Sequence, residues 1–166
     1  MESGARLYSL STKLRLYNVY VLPVLLHGAD TWSMTVASKR RLDAFDQWYM
    51  HIRFTAHVTN QEVRSRTGQP LVTSLVKSRW LKLFGHIARA ELASDYAQPL
   101  RASISRLTKD WHRPRGRPRQ SWLRTVEADL KPLNFGLHTA CQHAADRSAW
   151  QSVVEIAMLF DGHATP

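Results

Sequence analysis

The chain has 166 residues, of which 44% are hydrophobic, so it carries enough apolar side chain for an ordinary core without disulfide bonds. This composition excludes a collagen-like or wholly disordered chain, and the single cysteine, Cys141, excludes an internal disulfide framework. Lys and Arg number 23 against 13 Asp and Glu, which gives a formal net charge of +10 and favours a polyanionic partner such as nucleic acid.

Neither a signal peptide nor a membrane span is predicted. The amino terminus lacks the basic stretch and apolar core that are typical of a signal peptide. The longest weakly charged run, Leu16 to Ala29, contains Pro23 and His27 and is shorter than the roughly 20 apolar residues that a membrane span needs. We therefore expect a soluble protein with no membrane partner.

The first hundred residues show the periodicity of helices. The first predicted helix is capped by Ser11, is kinked at Pro23 and ends before Gly28, which can adopt the left-handed conformation found at helix ends. A second helix is predicted over Val36 to Phe54. The apolar stripe of this second helix is expected to be core: Leu42, Phe45, Tyr49 and Ile52.

Three more helices are predicted before the chain changes character. Thr59 to Glu62 has the spacing of a capping box, and Gly68 stops the short helix that follows. A longer helix runs from Leu71 to about Ala90, with its apolar residues on one face and its basic residues on the other, and a further helix covers Ala93 to Ile104.

Residues 105–120 form an extended basic linker that divides the chain. Pro114, Gly116 and Pro118 lie among its arginines, so the segment forms neither a regular helix nor a central strand. The fold class predicted is therefore all-α. Its organisation is a helical domain over 1–104, the linker over 105–120 and a small helical carboxy-terminal domain over 121–166.

The carboxy-terminal domain is predicted to contain two or three short helices. Ser121 caps the first, which runs through Leu130; Thr139 opens a second capping box; and Asp146 caps a last helix that ends near Gly162. The expected core of this domain is apolar: Trp122, Val126, Leu130, Trp150, Val153, Val154 and Ile156.

The sequence predicts no catalytic centre, no metal site and no cofactor. No two acidic residues are adjacent, so the converging carboxylates that hold paired metals in polymerases and nucleases are not evident. His138, Cys141 and His143 have no second ligand pair that would complete a structural zinc site. The signatures of phosphate-binding loops, dinucleotide-binding folds, hydrolases and zincins do not occur.

The basic linker carries the sharpest functional motif. Between Arg101 and Arg119 lie seven basic residues against the single acid Asp110, a net charge of +6. The core of the motif has the composition of an AT-hook, in which arginines enter a narrow minor groove while glycine permits close approach and prolines keep the chain extended: Arg113, Arg115, Gly116, Arg117, Pro118 and Arg119. A nuclear-localisation patch or a plain solvated linker has the same composition. A second basic surface is predicted on the long helix: Lys77, Arg79, Lys82 and Arg89.

Several segments, taken in order, resemble one family. Residues 10–32 resemble the segment that follows the palm in non-LTR (LINE-like, jockey- and RTE-type) retrotransposon reverse transcriptases. Further landmarks similar to the same family's carboxy-terminal region follow in the expected order: 41–48, 57–64, 66–70, 79–89, 115–122 and 146–150. Residues 49–57 form a shorter stretch than the family usually has at this point.

The resemblance implies a thumb-like helical domain that grips a template and primer duplex, followed by a basic linker and a terminal helical domain that engages RNA or target DNA. It does not imply polymerisation, because the family's catalytic aspartates and endonuclease domain belong to regions upstream of the matched part. We therefore expect a non-catalytic nucleic-acid-binding fragment in the nucleus or cytoplasm, with the nucleus favoured. The alternatives are a helical protein-interaction module co-opted from a mobile element and an element remnant without function.

Overall fold

The structure, a computed structural model, describes residues 9–49, 60–91, 94–104 and 121–160, with their side chains except those of residues 10, 46, 47, 60, 61, 63 and 160. The all-α prediction is confirmed for this part of the chain, which contains helices and no strand. The helices are α1 (Leu10–Leu16), α2 (Leu22–Leu25), α3 (Val36–Tyr49), α4 (Asn60–Thr67), α5 (Val72–Ala88), α6 (Gln98–Ile104), α7 (Trp122–Leu130), α8 (Leu137–Ala144) and α9 (Arg147–Phe160).

A π-helical turn over Tyr17–Val21 joins α1 to α2 without a break. The Leu22 amide donates to the Tyr17 carbonyl five residues back, one residue before Pro23, which has no amide hydrogen to donate. The irregularity predicted at Pro23 therefore takes the form of a widened turn. The helix then ends as predicted, because Gly28 has a φ of 68° in the left-handed region.

Helix caps were predicted with mixed success. Ser121 caps α7 by accepting from the Arg124 amide at 3.4 Å, as predicted. The cap of α1 is Ser9 rather than Ser11, because the Ser9 hydroxyl accepts from the Thr12 amide while Ser11 already lies inside the helix. The capping box at Thr139 is also wrong, since α8 begins at Leu137 after Gly136 and Thr139 lies within it.

The other predicted helix boundaries agree with the structure where they fall on described residues. The helix predicted from Val36 begins there, and Gly68, with a φ of 65°, follows α4 as the predicted stop. The predicted Thr59 cap, residues 50–54 of the second helix, Ala93 and the end near Gly162 lie outside the described residues.

The long helix α5 is the centre of the fold. Its buried residues lie on more than one side and include Trp80, Leu81 and Phe84, and the helix contacts α3, α7, α8 and α9. Trp80 donates its indole hydrogen to the Ala29 carbonyl at 2.7 Å, which fixes the turn after α2 against this helix. A helix that is buried on several sides needs other helices packed against each of those sides, so α5 cannot lie at the edge of a bundle.

The predicted division into two helical domains is not what the structure shows. Trp150 of α9 donates to the Leu81 carbonyl at 2.9 Å and lies with its ring centroid 5.5 Å from that of Phe84. Residues from both sides of the linker thus form one core, because the sides of α5 left uncovered by earlier helices are covered by α7, α8 and α9. The predicted carboxy-terminal core is buried or partly buried except at Ile156, which is exposed while Ala157 is buried in its place.

A partly buried ion pair also links the two parts of the chain. Lys39 of α3 lies 3.5 Å from Asp129 of α7, and its ammonium group is 5.6 Å from the centre of the Trp80 ring.

Among the residues described, no helix combines the length and the apolar character needed to cross a membrane.

Asp146 caps α9, as predicted, and provides a test at low pH. The Ser148 hydroxyl, followed by the amides of Ala149 and Ser148, donates to this carboxylate and lowers its pKa. A lowered pKa in the folded state gives stability that is present above the pKa of the unfolded chain and is lost as the pH falls through the folded value. We expect Asp146→Ala to lower the thermal midpoint at neutral pH and to converge with the wild type at acid pH. Asp146→Asn, which keeps the cap without the titration, is the control. A difference in thermal midpoint between the wild type and Asp146→Ala that does not depend on pH would contradict this role of the Asp146 carboxylate.

Candidate nucleic-acid interface

The two ends of the basic linker lie on the same helical body. The arginines of the predicted motif, with Gly116 and Pro118, fall within residues 105–120, outside the described residues. Ile104, at the end of α6, packs against the core, and Ser121 is the cap from which α7 begins. The segment that carries the densest positive charge in the sequence therefore leaves one body and returns to it.

The predicted basic surface on α5 is corrected by the structure at Lys77. This side chain is buried, with 3% of the residue exposed, because α5 is covered on the side where Lys77 lies. The prediction that Lys77 faces solvent assumed that α5 has a single buried stripe. Lys77 therefore cannot belong to an exposed surface.

Two of the remaining three residues bind helix ends. Arg79 donates to the Leu26 carbonyl at 2.9 Å, at the end of α2, and lies 4.0 Å from Asp30. Arg89 donates to the Ala144 carbonyl at 2.8 Å, at the end of α8. Cationic donors at these positions satisfy carbonyls left without an intrahelical partner. Lys82 is exposed, and of the four predicted residues it is the one that is neither buried nor bonded to a helix end.

An open groove lies between α2, the segment after it and the amino-terminal part of α3. Its volume is about 510 Å³, within the range of about 300–1,000 Å³ that is usual for ligand pockets. Most of its lining is apolar: Leu25, Trp32, Met34, Leu42 and Phe45. Ser33, Ser38 and Arg41 supply its polar groups, and Arg41 is exposed.

An exposed tryptophan continues this groove along α3. The centroid of the Trp48 ring lies 6.1 Å from the centroid of the Phe45 ring, which lines the groove. Of the surface of Trp48, 70% is exposed. Arg41, Phe45 and Trp48 stand four and three residues apart and so follow one face of the helix. This arrangement was not predicted from the sequence, because α3 was assigned a core stripe only. The available signal was the spacing of Arg41 and Trp48, which stand four and three residues from Phe45 of that stripe.

The environment of the Cys141 thiol disfavours its nucleophilic form. Burial raises the pKa of the Cys141 thiol, and the positive charge of Arg101 opposes this in part. The thiol form is therefore favoured over the nucleophilic thiolate. No group of three or more His, Cys, Asp or Glu side chains is placed to hold a metal ion among the residues that can be described.

Comparison of the chain with models of protein families, with curated proteins and with solved structures finds no match.

Proposed function

We propose that this chain is a non-catalytic nucleic-acid-binding fragment of a non-LTR retrotransposon reverse transcriptase, which grips a template and primer duplex or target DNA. The observation that carries the proposal is the charge of residues 101–119, which hold +6 of the chain's +10. Charge concentrated in this way attracts a polyanion, because each phosphate contact releases condensed counterions.

The chemistry of the linker supports phosphate or minor-groove contacts. Guanidinium groups bind phosphate oxygens with two parallel hydrogen bonds, and they stay charged at every physiological pH. Arg113, Arg115, Arg117 and Arg119 alternate with prolines and Gly116, which suits an extended chain lying along a nucleic-acid backbone. The residues on either side of the segment, Ile104 and Ser121, belong to one helical body, which limits how far apart its two ends can lie.

A salt titration tests the proposal directly. Fluorescence anisotropy of a labelled duplex of about 20 base pairs would be measured with the purified chain between about 50 and 200 mM salt. Four arginine contacts predict a loss of affinity of about 100-fold over this range, since the logarithm of the affinity falls by about 0.9 per phosphate contact for each tenfold rise in salt. An affinity that does not change with salt, or no binding at about 50 mM salt, would refute the proposal.

The same assay separates the two modes of contact. Insertion of arginines into a narrow minor groove predicts tighter binding to an A·T-rich duplex than to a G·C-rich one. Contacts to phosphates alone predict equal affinities, with RNA and DNA distinguished by helix geometry and not by base composition. Location in the nucleus, where target DNA lies, is part of the proposal.

A helical protein-interaction module is the second candidate, and an exposed apolar stripe favours it. Along the helix formed by α1, the π-helical turn and α2, four large apolar residues are exposed: Leu16, Val19, Tyr20 and Val24. Large apolar side chains exposed at helical spacing are a feature of helices that contact other proteins. This candidate predicts that the chain has no salt-dependent affinity for DNA or RNA, so the titration above decides between the two.

A further inference from the structure

We propose that the groove beside α3 binds the unpaired bases of a single-stranded nucleic acid, with Trp32 and Trp48 stacking on bases and Arg41 contacting a phosphate. This inference rests on the proposed function and deepens it, since it assigns a second site to the described part of the chain and specifies its ligand. A single strand is the form of nucleic acid whose bases are free to stack on protein aromatic rings.

The chemistry of the groove matches an unpaired base. Its lining is mostly apolar and includes the rings of Trp32 and Phe45, which suits the flat face of a base and not the charged backbone of a duplex. Trp48 extends the aromatic row beyond the groove, with its ring 6.1 Å from that of Phe45 and 70% of the residue exposed. Successive bases of a single strand meet such rows of aromatic side chains in proteins that bind without sequence preference.

The charge of the groove favours a nucleic acid over an apolar protein segment. Arg41 lies in the lining, and its neighbour Arg40 is exposed as well. Among the described side chains, neither arginine forms an ion pair with an acidic group. Asp43, on the same helix, accepts a hydrogen bond from Thr73 of α5 at 3.0 Å and so is engaged towards the core. The cationic edge is therefore available to a phosphate placed next to the stacked bases.

The test uses the full chain with two labelled probes, an oligothymidylate of about 20 nucleotides and a duplex of similar length. Trp48→Ala is expected to weaken binding of the single strand about tenfold or more, because each stacked base contributes a large part of the affinity. Trp48→Phe is expected to restore most of it, and the duplex affinity should change little. Arg41→Ala should weaken binding of the single strand and lower the slope of its salt dependence by about 0.7, the value for one phosphate on a single strand.

Two control variants match these changes elsewhere on the surface. Tyr20→Ala removes an exposed aromatic ring from the first helix, and Arg147→Ala removes an exposed arginine from α9. Both are expected to bind the oligothymidylate as the wild type does. Trp48 and Arg41 are exposed, so their variants are expected to keep the wild-type thermal midpoint, which circular dichroism checks.

The outcomes separate this inference from the proposed function. Wild-type affinity of Trp48→Ala and Arg41→Ala for the single strand would overturn the groove assignment, while salt-dependent duplex binding would leave the proposed function standing. An equal loss on both probes would also overturn it, because base stacking does not act on a duplex. If Trp48→Ala abolished self-association in size-exclusion chromatography without altering oligonucleotide binding, the occupant would be a second copy of the chain and the assignment would be wrong. Absence of binding to either probe would refute both proposals.

Discussion

Gly85→Ala is expected to lower the free energy of unfolding by about 2 kcal/mol or more, the range in which overpacking of a core falls. A Cβ atom added at Gly85 would collide with the indole ring of Trp150 and would stand 3.2 Å from Nη1 of Arg89. The indole cannot retreat without breaking its hydrogen bond to the Leu81 carbonyl and leaving the ring of Phe84. The higher helix propensity of alanine, worth up to about 1 kcal/mol, does not offset this collision.

Gly136→Ala is the matched control for this prediction. A Cβ atom at Gly136 meets no atom within 4 Å, and its backbone has an ordinary extended conformation with a φ of −84°. Gly136 precedes α8 as its N-cap, where alanine is less favourable than glycine, so we expect the variant's free energy of unfolding to fall by no more than about 1 kcal/mol in urea denaturation. A stable Gly85→Ala variant would show that α9 does not pack on α5 as described, and it would contradict a single core shared by the two sides of residues 105–120.

Replacement of the four linker arginines is expected to have the largest effect on binding. The variant Arg113→Ala, Arg115→Ala, Arg117→Ala and Arg119→Ala should bind a duplex of about 20 base pairs at least about 1,000-fold more weakly at about 50 mM salt. The slope of its salt dependence should fall by about 3 to 4, since each phosphate contact contributes about 0.9 to the slope. Anisotropy titrations at several salt concentrations measure both quantities. An unchanged slope would mean that these arginines do not contact phosphates.

The sequence predicted local features of the fold well because their causes are local. Ser121 and Asp146 cap helices through hydrogen bonds to amides two or three residues ahead, and such bonds depend on nothing beyond that turn. Gly28 ends a helix because its left-handed backbone conformation favours glycine. Where two hydroxyls stand two residues apart, as Ser9 and Ser11 do, local chemistry cannot choose between them, and the wrong one was predicted.

Long-range packing was not predictable in the same way. The periodicity of α5 shows its strongest apolar stripe, but Thr73, Ser74, Lys77 and Ser78 are also buried because other helices cover them. The partners of a helix are absent from its own sequence pattern. The linker composition likewise suggested two domains, although the contacts of Trp150 with α5 join both parts of the chain in one core.

The same difference between local and long-range causes explains which candidate site was predicted from the sequence and which was not. The arginine motif was found from composition, because its chemistry needs neighbours in sequence only. The groove was missed because Trp32 and Arg41 come together through the fold, nine residues apart and on either side of the turn into α3. The binding of helix ends by Arg79 and Arg89 was not predicted, because these ends, at Leu26 and Ala144, lie more than 50 residues away in sequence.

The most direct test of the central claim, that the linker arginines bind a phosphate backbone, compares two variants with the same net charge. One is the four-arginine linker variant. The other replaces four exposed cations elsewhere by alanine: Arg15, Arg124, Lys131 and Arg147. Measured on one duplex at about 50 mM salt, the linker variant should bind at least about tenfold more weakly than its charge-matched control. Equal affinities would show that net charge alone attracts the nucleic acid and would contradict a dedicated role for the linker.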